Sequence, residues 1–216
     1  MEQEHIKAYW QQWTKDFKDA SYCIYSTRKD WSVEEFYQSG VKDWNKYFEP
    51  LMNQLPDRDS VMEIGVGIGR VLFASKFNRS YGIDISEGML SLAEIMKDQL
   101  GHKSYYKFGL PSTLDFIAHD SISFIYSIIC FQHIPNKDEQ IWYIRQIDRI
   151  LKPGGIAKLM IQSETYKQEF NCGIGASLSK SDIESNLTRC KIVAVEPSEW
   201  CVQAERNQWY VIKKEI

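Results

Sequence analysis

The amino-acid sequence predicts an α/β fold with a doubly wound, mostly parallel sheet. From residue 60 onward, short apolar segments that suit strands alternate with longer segments that suit helices, which is the pattern of parallel strands joined by right-handed crossovers. The segment Phe124–Ile129 is apolar along most of its length, as expected for a strand that is covered on both faces. The last two predicted strands are separated by a loop rather than a helix, which predicts an antiparallel hairpin at one edge of the sheet.

Each element is predicted from its apolar periodicity and from the residues that end it. The predicted strands are Val61–Val66, Tyr81–Ile85, Tyr105–Phe108, Ile122–Ile129, Ile156–Ile161, Lys191–Val195 and Gln208–Lys213. The predicted helices among them are Gly69–Phe77, Glu87–Leu100, Asp138–Leu151 and Ser181–Cys190. Ligands of doubly wound sheets bind at the carboxyl ends of the strands. Functional residues are therefore expected directly after Val66, Ile85, Phe108 and Ile129.

The segment before residue 60 predicts a helical cap. Apolar side chains recur at helical spacing at Ile6, Tyr9, Trp10, Trp13 and Phe17. A second helix is predicted from the capping-box pattern of Ser32 and Glu35, running toward Leu51 or Leu55. We interpret residues 1–59 as an N-terminal cap or lid and residues 60–216 as one compact main domain. Tyr9 and Trp13 are candidates for contact with a substrate, although aromatic stripes of this kind more often form part of a hydrophobic core.

Composition and charge disfavour several classes of protein. The 216 residues are 44% hydrophobic, which suits one compact domain with a core. The net charge is −3 and the basic residues are scattered, so a nucleic-acid substrate is disfavoured. No secretory signal or membrane-spanning segment is predicted, so we expect a cytoplasmic protein without a membrane partner. The five cysteines show no CxxC spacing, so neither a zinc or other metal site nor a disulfide framework is predicted.

Three glycines follow the first predicted strand at alternate positions. The segment reads Glu63-Ile64-Gly65-Val66-Gly67-Ile68-Gly69. Glycine lets the backbone turn tightly and approach a ligand without a Cβ clash, and a helix beginning there would offer free N–H groups. The dinucleotide fingerprint GxGxxG requires its third glycine where Arg70 stands. A nicotinamide cofactor is therefore disfavoured, and a glycine-rich turn without a ligand is the structural alternative.

An acidic residue ends the second predicted strand, in Gly82-Ile83-Asp84-Ile85-Ser86. A carboxylate at this point of a doubly wound sheet reaches ribose hydroxyls and can accept a hydrogen bond from each of two neighbouring hydroxyls. Capping of the following helix is the alternative role, for which Ser86 is the better candidate. If Asp84 binds ribose, Ile85 and Met89 flank the adenine ring, a role that can coexist with helix-to-sheet packing.

Together these segments resemble those of class I S-adenosylmethionine-dependent methyltransferases of the small, ubiquinone-biosynthesis-like kind. The resemblance runs from about Ser60 to the C-terminus and includes Phe131–Pro135 and Leu151–Gly155. It implies a seven-stranded, Rossmann-like methyltransferase sheet with an antiparallel last strand, S-adenosyl-L-methionine as cofactor and S-adenosyl-L-homocysteine (SAH) as product. By the same analogy, Glu63 and the glycine loop contact the methionine portion, and Asp84 contacts the ribose.

The sequence departs from this family after the third predicted strand. Many members carry there an acidic residue that contacts the adenine amino group, whereas here Gly109 is followed by Leu110. The family also often has an aspartate where Ser123 stands. Ser127 is expected to contact the methionine end through its backbone, and Gln132 either contacts the cofactor or ends the strand. The predicted cofactor-binding residues are Glu63, Gly65, Gly67, Gly69, Asp84, Ile85, Met89, Gly109, Leu110, Ser127 and Gln132.

His133 is the candidate catalytic residue. An oxygen or nitrogen that accepts a methyl group has to lose a proton, and histidine titrates in the range suited to that task. Support of the cofactor pocket through the backbone is an equally weighted alternative. The segment Glu164–Ser179 is interpreted as a substrate loop.

The function predicted from the sequence is methyl transfer to an oxygen or nitrogen of a small molecule. Three alternatives remain: a non-catalytic or regulatory protein that binds S-adenosyl-L-methionine, a protein methyltransferase, and a nicotinamide-dependent oxidoreductase. The sequence identifies neither the acceptor nor the oligomeric state.

Overall fold

A computed structural model of the chain describes residues 2–25, 30–163, 175–199 and 207–216. Within them, seven strands form one sheet in the order β3-β2-β1-β4-β5-β7-β6. The strands are β1 (Ser60–Ile64), β2 (Arg79–Ile83), β3 (Tyr105–Gly109), β4 (Ile122–Ser127), β5 (Leu151–Gln162), β6 (Cys190–Pro197) and β7 (Asn207–Lys214). The pairs β1–β2, β2–β3 and β4–β5 are parallel, and β7 runs antiparallel to both β5 and β6. The predicted α/β class, the mostly parallel sheet and its antiparallel last strand are confirmed.

Six α-helices lie in the described ranges. They are α1 (Glu2–Gln11), α2 (Phe17–Ile24), α3 (Val33–Tyr47), α4 (Glu87–Gln99), α5 (Lys137–Ile150) and α6 (Lys180–Glu184). None of the helices in these ranges combines the length and the apolar character that a membrane span requires.

The N-terminal helices follow their capping residues. Ser32 Oγ accepts from Glu35 N at 3.2 Å, and Glu35 Oε2 accepts from Ser32 N at 3.2 Å, so the predicted capping box is present at the start of α3. The N-terminal aromatic stripe is divided between two helices instead of one. Asp16 caps α2 by accepting from Asp19 N at 3.0 Å, and this local bond favours a new helix start over continuation of α1.

The predicted helix Gly69–Phe77 is wrong, since this segment contains a single 3-10 turn at Leu72–Ala74. Gly67 and Gly69 adopt φ angles of +51° and +82°. These values lie in the left-handed region, which glycine adopts freely and a right-handed helix excludes. Ser75 then returns to the extended region and ends the turn.

The predicted helix Ser181–Cys190 is also too long. Only Lys180–Glu184 is helical, and Cys190 begins β6. The Asp148 side chain explains the early end, because it accepts from Thr188 N, Arg189 N and Cys190 N at 3.2, 2.9 and 2.8 Å. Backbone N–H groups that bond to this carboxylate cannot also continue a helix.

The chain folds as two compact units. The first contains Met1–Gln54 and Arg58–Thr113, with α1 to α4 and β1 to β3. The second contains Leu55–Asp57 and Leu114–Ile216, with the remaining strands and helices. The division at residues 59 and 60 stays a prediction. A buried cluster in the first unit joins its helices to the glycine loop, and its members are Ala20, Phe36, Tyr37, Ile68, Phe73, Met89 and Met96.

Candidate active site

In the first unit, Asp84 joins the glycine loop to the residues that follow β2. Its Oδ2 accepts from Gly67 N at 2.8 Å, and its Oδ1 accepts from Ser86 N at 2.9 Å. Gly65 N donates to Ile83 O at 2.7 Å, which ties the loop to the end of β2. The structure therefore brings the glycine loop and the acidic residue together at the carboxyl ends of neighbouring strands, where doubly wound sheets bind ligands.

Each Asp84 oxygen retains acceptor capacity beyond its backbone bond, because a carboxylate oxygen carries two lone pairs. Burial raises the pKa of the Asp84 carboxyl above its usual range, while the hydrogen bonds from the Ser86 and Gly67 backbone act in the opposite direction. A partner that donates to the remaining lone pairs favours the ionised form further.

The glycine loop requires glycine for reasons of space as well as conformation. A Cβ atom on Gly67 would lie 2.6 Å from Ile24 Cδ1, and one on Gly69 would lie 2.5 Å from Phe73 Cζ. The end of α2 thus lies directly on the loop. Glu63 precedes the loop on β1, where it is buried and paired in register with Gly82.

Helix α3 supports the loop from its other side. Tyr37 Oη donates to Ile68 O at 2.8 Å within the buried cluster. Gly40 allows the helix to approach the backbone closely, since a Cβ there would lie 1.8 Å from Arg70 O. Helix α3 therefore fixes the loop by direct contact, whereas the sequence predicts this helix only as part of an N-terminal cap.

Sequence reasoning missed the role of Arg70, which it treated only as a break in the dinucleotide pattern. The Arg70 side chain is buried and forms an ion pair with Asp43 at 2.7 Å. Its guanidinium also donates to Ser39 Oγ at 3.2 Å and lies 4.6 Å from the centre of the Tyr25 ring. Loss of one partner of a buried ion pair costs about 3–5 kcal/mol, so this arginine links α2, α3 and the loop. The sequence does show a charged residue directly after three glycines, which could have indicated a role for Arg70. No pattern in the sequence indicates Asp43 as its partner.

The end of α1 covers the start of α4. Gln11 Oε1 accepts from Ser86 Oγ at 3.0 Å and from Gly88 N at 3.1 Å. A Cβ on Gly88 would lie 2.2 Å from Thr14 Oγ1, so residues 11–14 lie against the first turn of α4. These contacts lie directly after Asp84 in the chain, and the role of the N-terminal segment as a lid stays a prediction.

Cys23 shows that α2 also approaches Asp84. Burial raises the pKa of the Cys23 thiol to about 12, and the negative charge of Asp84 contributes to the increase. This thiol therefore stays protonated at neutral pH.

The two N-terminal aromatic candidates have different environments. Tyr9 forms an edge contact with Trp10, with ring centroids 5.4 Å apart. Trp13 forms an edge contact with Tyr22 at 6.0 Å and packs against the buried cluster that contains Met89. Trp13 thus packs against the same buried cluster as Met89, which is a candidate adenine-binding residue.

The candidate adenine region is lined by apolar side chains and backbone. Met89 is almost fully buried and Ile85 is half-buried. Gly109 O accepts from Asp84 N at 3.2 Å, and Leu110 O accepts from Thr113 Oγ1 at 2.6 Å. No acidic side chain therefore stands at Gly109 or Leu110 to pair with an adenine amino group.

In the second unit, the turn after β4 carries Gln132 and His133. Gln132 Oε1 accepts from Asn207 Nδ2 at 2.9 Å, and Gln132 Nε2 lies 3.2 Å from His133 Nε2. Ser127 is the fully buried last residue of β4. Ile129 follows with a φ of +55°, a strained conformation for a β-branched side chain and one that is common at functional sites.

Gln140 fixes the same turn, and sequence reasoning missed it. Its fully buried Nε2 donates to Phe131 O, Ile134 O and Ala176 O at 3.0, 3.0 and 2.8 Å. The signal that could have found it is a polar residue at helical spacing from Ile144, on the buried face of α5, where Asp148 is the other acidic or amide side chain. Residues 164–174 of the predicted substrate loop lie outside the described residues.

The comparisons with known proteins agree with this architecture. Residues 61–155 match the family model described as a methyltransferase domain. The chain is 30% identical over 139 residues to phosphoethanolamine N-methyltransferase 2 of Caenorhabditis elegans, a match that covers 62% of this chain and 31% of that protein. It is 33% identical over 112 residues to the uncharacterized methyltransferase YdaC of Bacillus subtilis (strain 168), covering 48% of this chain and 56% of that protein. The chain thus spans only part of the length of each of these curated relatives.

Solved structures share the fold at low sequence identity. The magnesium protoporphyrin IX methyltransferase ChlM from Synechocystis PCC 6803, solved with bound SAH, superposes with a TM-score of 0.67 at 14% identity, covering 100% of both chains. Geranyl diphosphate C-methyltransferase from Streptomyces coelicolor A3(2) superposes with a TM-score of 0.62 at 14% identity, covering 100% of this chain and 98% of the other. The ubiquinone-biosynthesis-like subtype stays a prediction. The family match identifies residues 61–155 as a methyltransferase domain, and the strand order is that of the solved methyltransferases to which the fold is similar.

Proposed function

We propose that the chain transfers a methyl group from S-adenosyl-L-methionine to an oxygen or nitrogen of a small molecule. The observation that carries this proposal is the bond between Asp84 Oδ2 and Gly67 N, which sets an acceptor carboxylate beside bare backbone. We propose that the glycine loop, Asp84, Ile85 and Met89 contact this cofactor. The product formed from it is SAH. When bound, this cofactor supplies a methyl group already activated on a sulfonium, so the protein contributes positioning and proton handling.

The residues present fit an adenosyl ligand. Gly67 has no Cβ, and one placed there would lie 2.6 Å from Ile24 Cδ1, so α2 packs directly on the loop backbone on that side. Asp84 has lone pairs for the two hydroxyls of a ribose, and Met89 and Ile85 supply apolar surface for a purine ring. A pyrophosphate-bearing cofactor has less support, since the described part of the glycine loop leads into a 3-10 turn.

Gln132 positions the imidazole of His133 in the turn after β4. Asn207 Nδ2 donates to Gln132 Oε1, which leaves the Gln132 amide nitrogen as the donor toward His133 Nε2. A neutral His133 then accepts at Nε2 and carries its proton at Nδ1. We therefore propose His133 as the base that receives the proton of the acceptor, which requires His133 Nε2 to exchange its Gln132 bond for the acceptor.

Substitution of His133 by alanine is expected to lower kcat by about 100-fold or more, since general-base catalysis contributes on this scale. SAH affinity is expected to fall much less than kcat, because Gln132, the predicted cofactor contact beside His133, keeps its bond from Asn207. The measurement pairs SAH calorimetry with steady-state kinetics on an identified acceptor. The control is His119→Ala, which alters an exposed loop histidine. Equal kcat values for the two variants would assign His133 a supporting role.

Acidification is expected to weaken SAH binding. Burial raises the pKa of Asp84, and its protonated carboxyl loses acceptor capacity toward ribose. Affinity should therefore fall as the pH drops through this raised pKa. The unliganded protein has the opposite dependence for this group: its stabilising contribution is present at low pH and is lost as the pH rises through the raised pKa. SAH titrations over a pH series test the predicted loss of affinity on acidification, and thermal unfolding in the same buffers tests the opposite pH dependence of stability. Asp84→Asn is the control for both measurements.

The direct test of the proposed function is turnover. Purified protein is incubated with S-adenosyl-L-methionine and panels of amines, phenols, alcohols and carboxylic acids, with peptides as a separate panel, and SAH formation is measured. Formation of SAH with a small molecule supports the proposal. Tight SAH binding without turnover on any panel favours a regulatory protein, and turnover on peptides alone favours a protein methyltransferase. Binding of NAD in place of SAH would overturn the cofactor assignment.

A further inference from the structure

Trp13 has a buried polar atom without a partner. Its Nε1 is shielded from solvent, and no acceptor among the described residues lies within hydrogen-bond distance. An indole nitrogen is a donor only, so the missing partner has to be an acceptor. Buried donors in native proteins are almost always paired, and the exceptions call for an explanation such as an absent ligand.

Trp13 lies where a purine ring is proposed to bind. Its neighbours in the chain, Gln11 and Thr14, lie against the first turn of α4, directly after Asp84. Its ring packs against the cluster that contains Met89. The indole therefore belongs to the covering side of the proposed adenine region.

The opposite side of this region offers a purine little polar recognition. Leu110 stands where an acidic side chain would pair with adenine, and its carbonyl already accepts from Thr113 Oγ1 at 2.6 Å. Gly109 O already accepts from Asp84 N. These carbonyls are acceptors and could pair only with the adenine amino group, whereas the ring nitrogens are themselves acceptors and need a donor, such as an indole N–H.

We propose that Trp13 Nε1 donates a hydrogen bond to a ring nitrogen of the adenine of the bound cofactor, so that the N-terminal lid selects the base. This inference rests on the proposed function, since it assigns one further contact to the same site. It makes Trp13 a specificity residue of the lid and gives its buried N–H an acceptor that none of the described residues supplies.

The test compares two indole-to-phenyl substitutions in this part of the chain. Trp13→Phe removes this N–H together with part of the packed ring, so it is expected to weaken SAH binding about tenfold, the scale of one hydrogen bond, and to lower Tm less than Trp31→Phe does. Trp31→Phe removes an N–H that donates to Tyr25 O at 3.0 Å, and it is expected to lower Tm while SAH affinity is retained. Equal SAH affinity of wild type and Trp13→Phe would overturn the inference.

A ligand series identifies the acceptor atom. Wild type and Trp13→Phe are titrated with SAH, with its 1-deaza, 3-deaza and 7-deaza analogues, and with adenosine. The proposal expects the Trp13→Phe penalty to vanish for one deaza analogue and to persist with adenosine, as a double-mutant cycle requires for a direct contact. A penalty that persists with every deaza analogue but vanishes with adenosine would assign the bond to the methionine carboxylate and refute the proposal. Failure of wild type to bind SAH at all would instead refute the proposed function.

Discussion

Replacement of Asp84 by alanine is expected to weaken SAH binding by about 100-fold or more. The substitution removes the proposed acceptor for two ribose hydroxyls, and each hydrogen bond to a charged group contributes about 1.5–3 kcal/mol. It also removes the acceptor that holds Gly67 N at 2.8 Å and Ser86 N at 2.9 Å, so the glycine loop loses its preorganisation. Calorimetric titration with SAH measures the effect.

Two further variants make this result interpretable. Asp98→Ala removes an exposed carboxylate near the end of α4, and it is expected to leave SAH affinity unchanged. Asp84→Asn keeps the size of the side chain, but its NH₂ group cannot accept from Gly67 N or Ser86 N. We expect Asp84→Asn to bind SAH nearly as weakly as Asp84→Ala while retaining a cooperative thermal transition. Wild-type affinity in either Asp84 variant would contradict the ribose assignment.

Replacement of Gly40 by alanine is expected to be the most destabilising of these substitutions, although alanine is the better helix former. The propensity gain in a helix interior is about 1 kcal/mol. Against it stands a Cβ placed 1.8 Å from Arg70 O and 2.6 Å from Arg70 C, and these backbone atoms cannot rotate away. Overpacking costs about 1–3 kcal/mol when side chains can adjust and more when they cannot. We therefore expect a net loss of about 3 kcal/mol, which lowers Tm by about 6–12 °C in a chain of this size.

The control for Gly40→Ala is Lys42→Ala, an exposed change on the same helix that is expected to stay within about 0.5 kcal/mol of wild type. Thermal and denaturant unfolding measure both variants. Because α3 contacts the backbone just after the glycine loop, SAH affinity should fall together with stability in Gly40→Ala. An unchanged Tm would show that α3 does not fix the loop in the way described above.

The sequence was sufficient for the parts of the fold that local patterns encode. The seven strands, the apolar strand that contains Phe124 and the capping box at Ser32 each depend on neighbours in the chain, and all correspond to observed elements. The glycine loop and Asp84 were found together because parallel strands bring their carboxyl ends to the same edge of a sheet.

The remaining features depend on contacts that no local pattern encodes. Arg70 and Asp43 are distant in sequence, so their ion pair required the packing of α3 against the loop. The three carbonyls that Gln140 binds come from two separate segments. The unpaired state of Trp13 Nε1 is a property of its surroundings rather than of its type.

The absence of an α-helix directly after the glycine loop has an electrostatic consequence. An α-helix starting at Gly69 would present the positive end of its macrodipole to a ligand, which stabilises phosphate groups and repels cations. The described chain has only a short 3-10 turn at Leu72–Ala74, so this attraction for a dianion is missing. A trivalent sulfur carrying a positive charge meets no repulsion from a helix N-terminus there, and the carboxylate of Asp84 bonds directly to the loop at Gly67 N. Gly67 and Gly69, whose φ angles are positive, prevent this helix from forming. They therefore also remove a helix N-terminus that would disfavour a positively charged ligand at this loop.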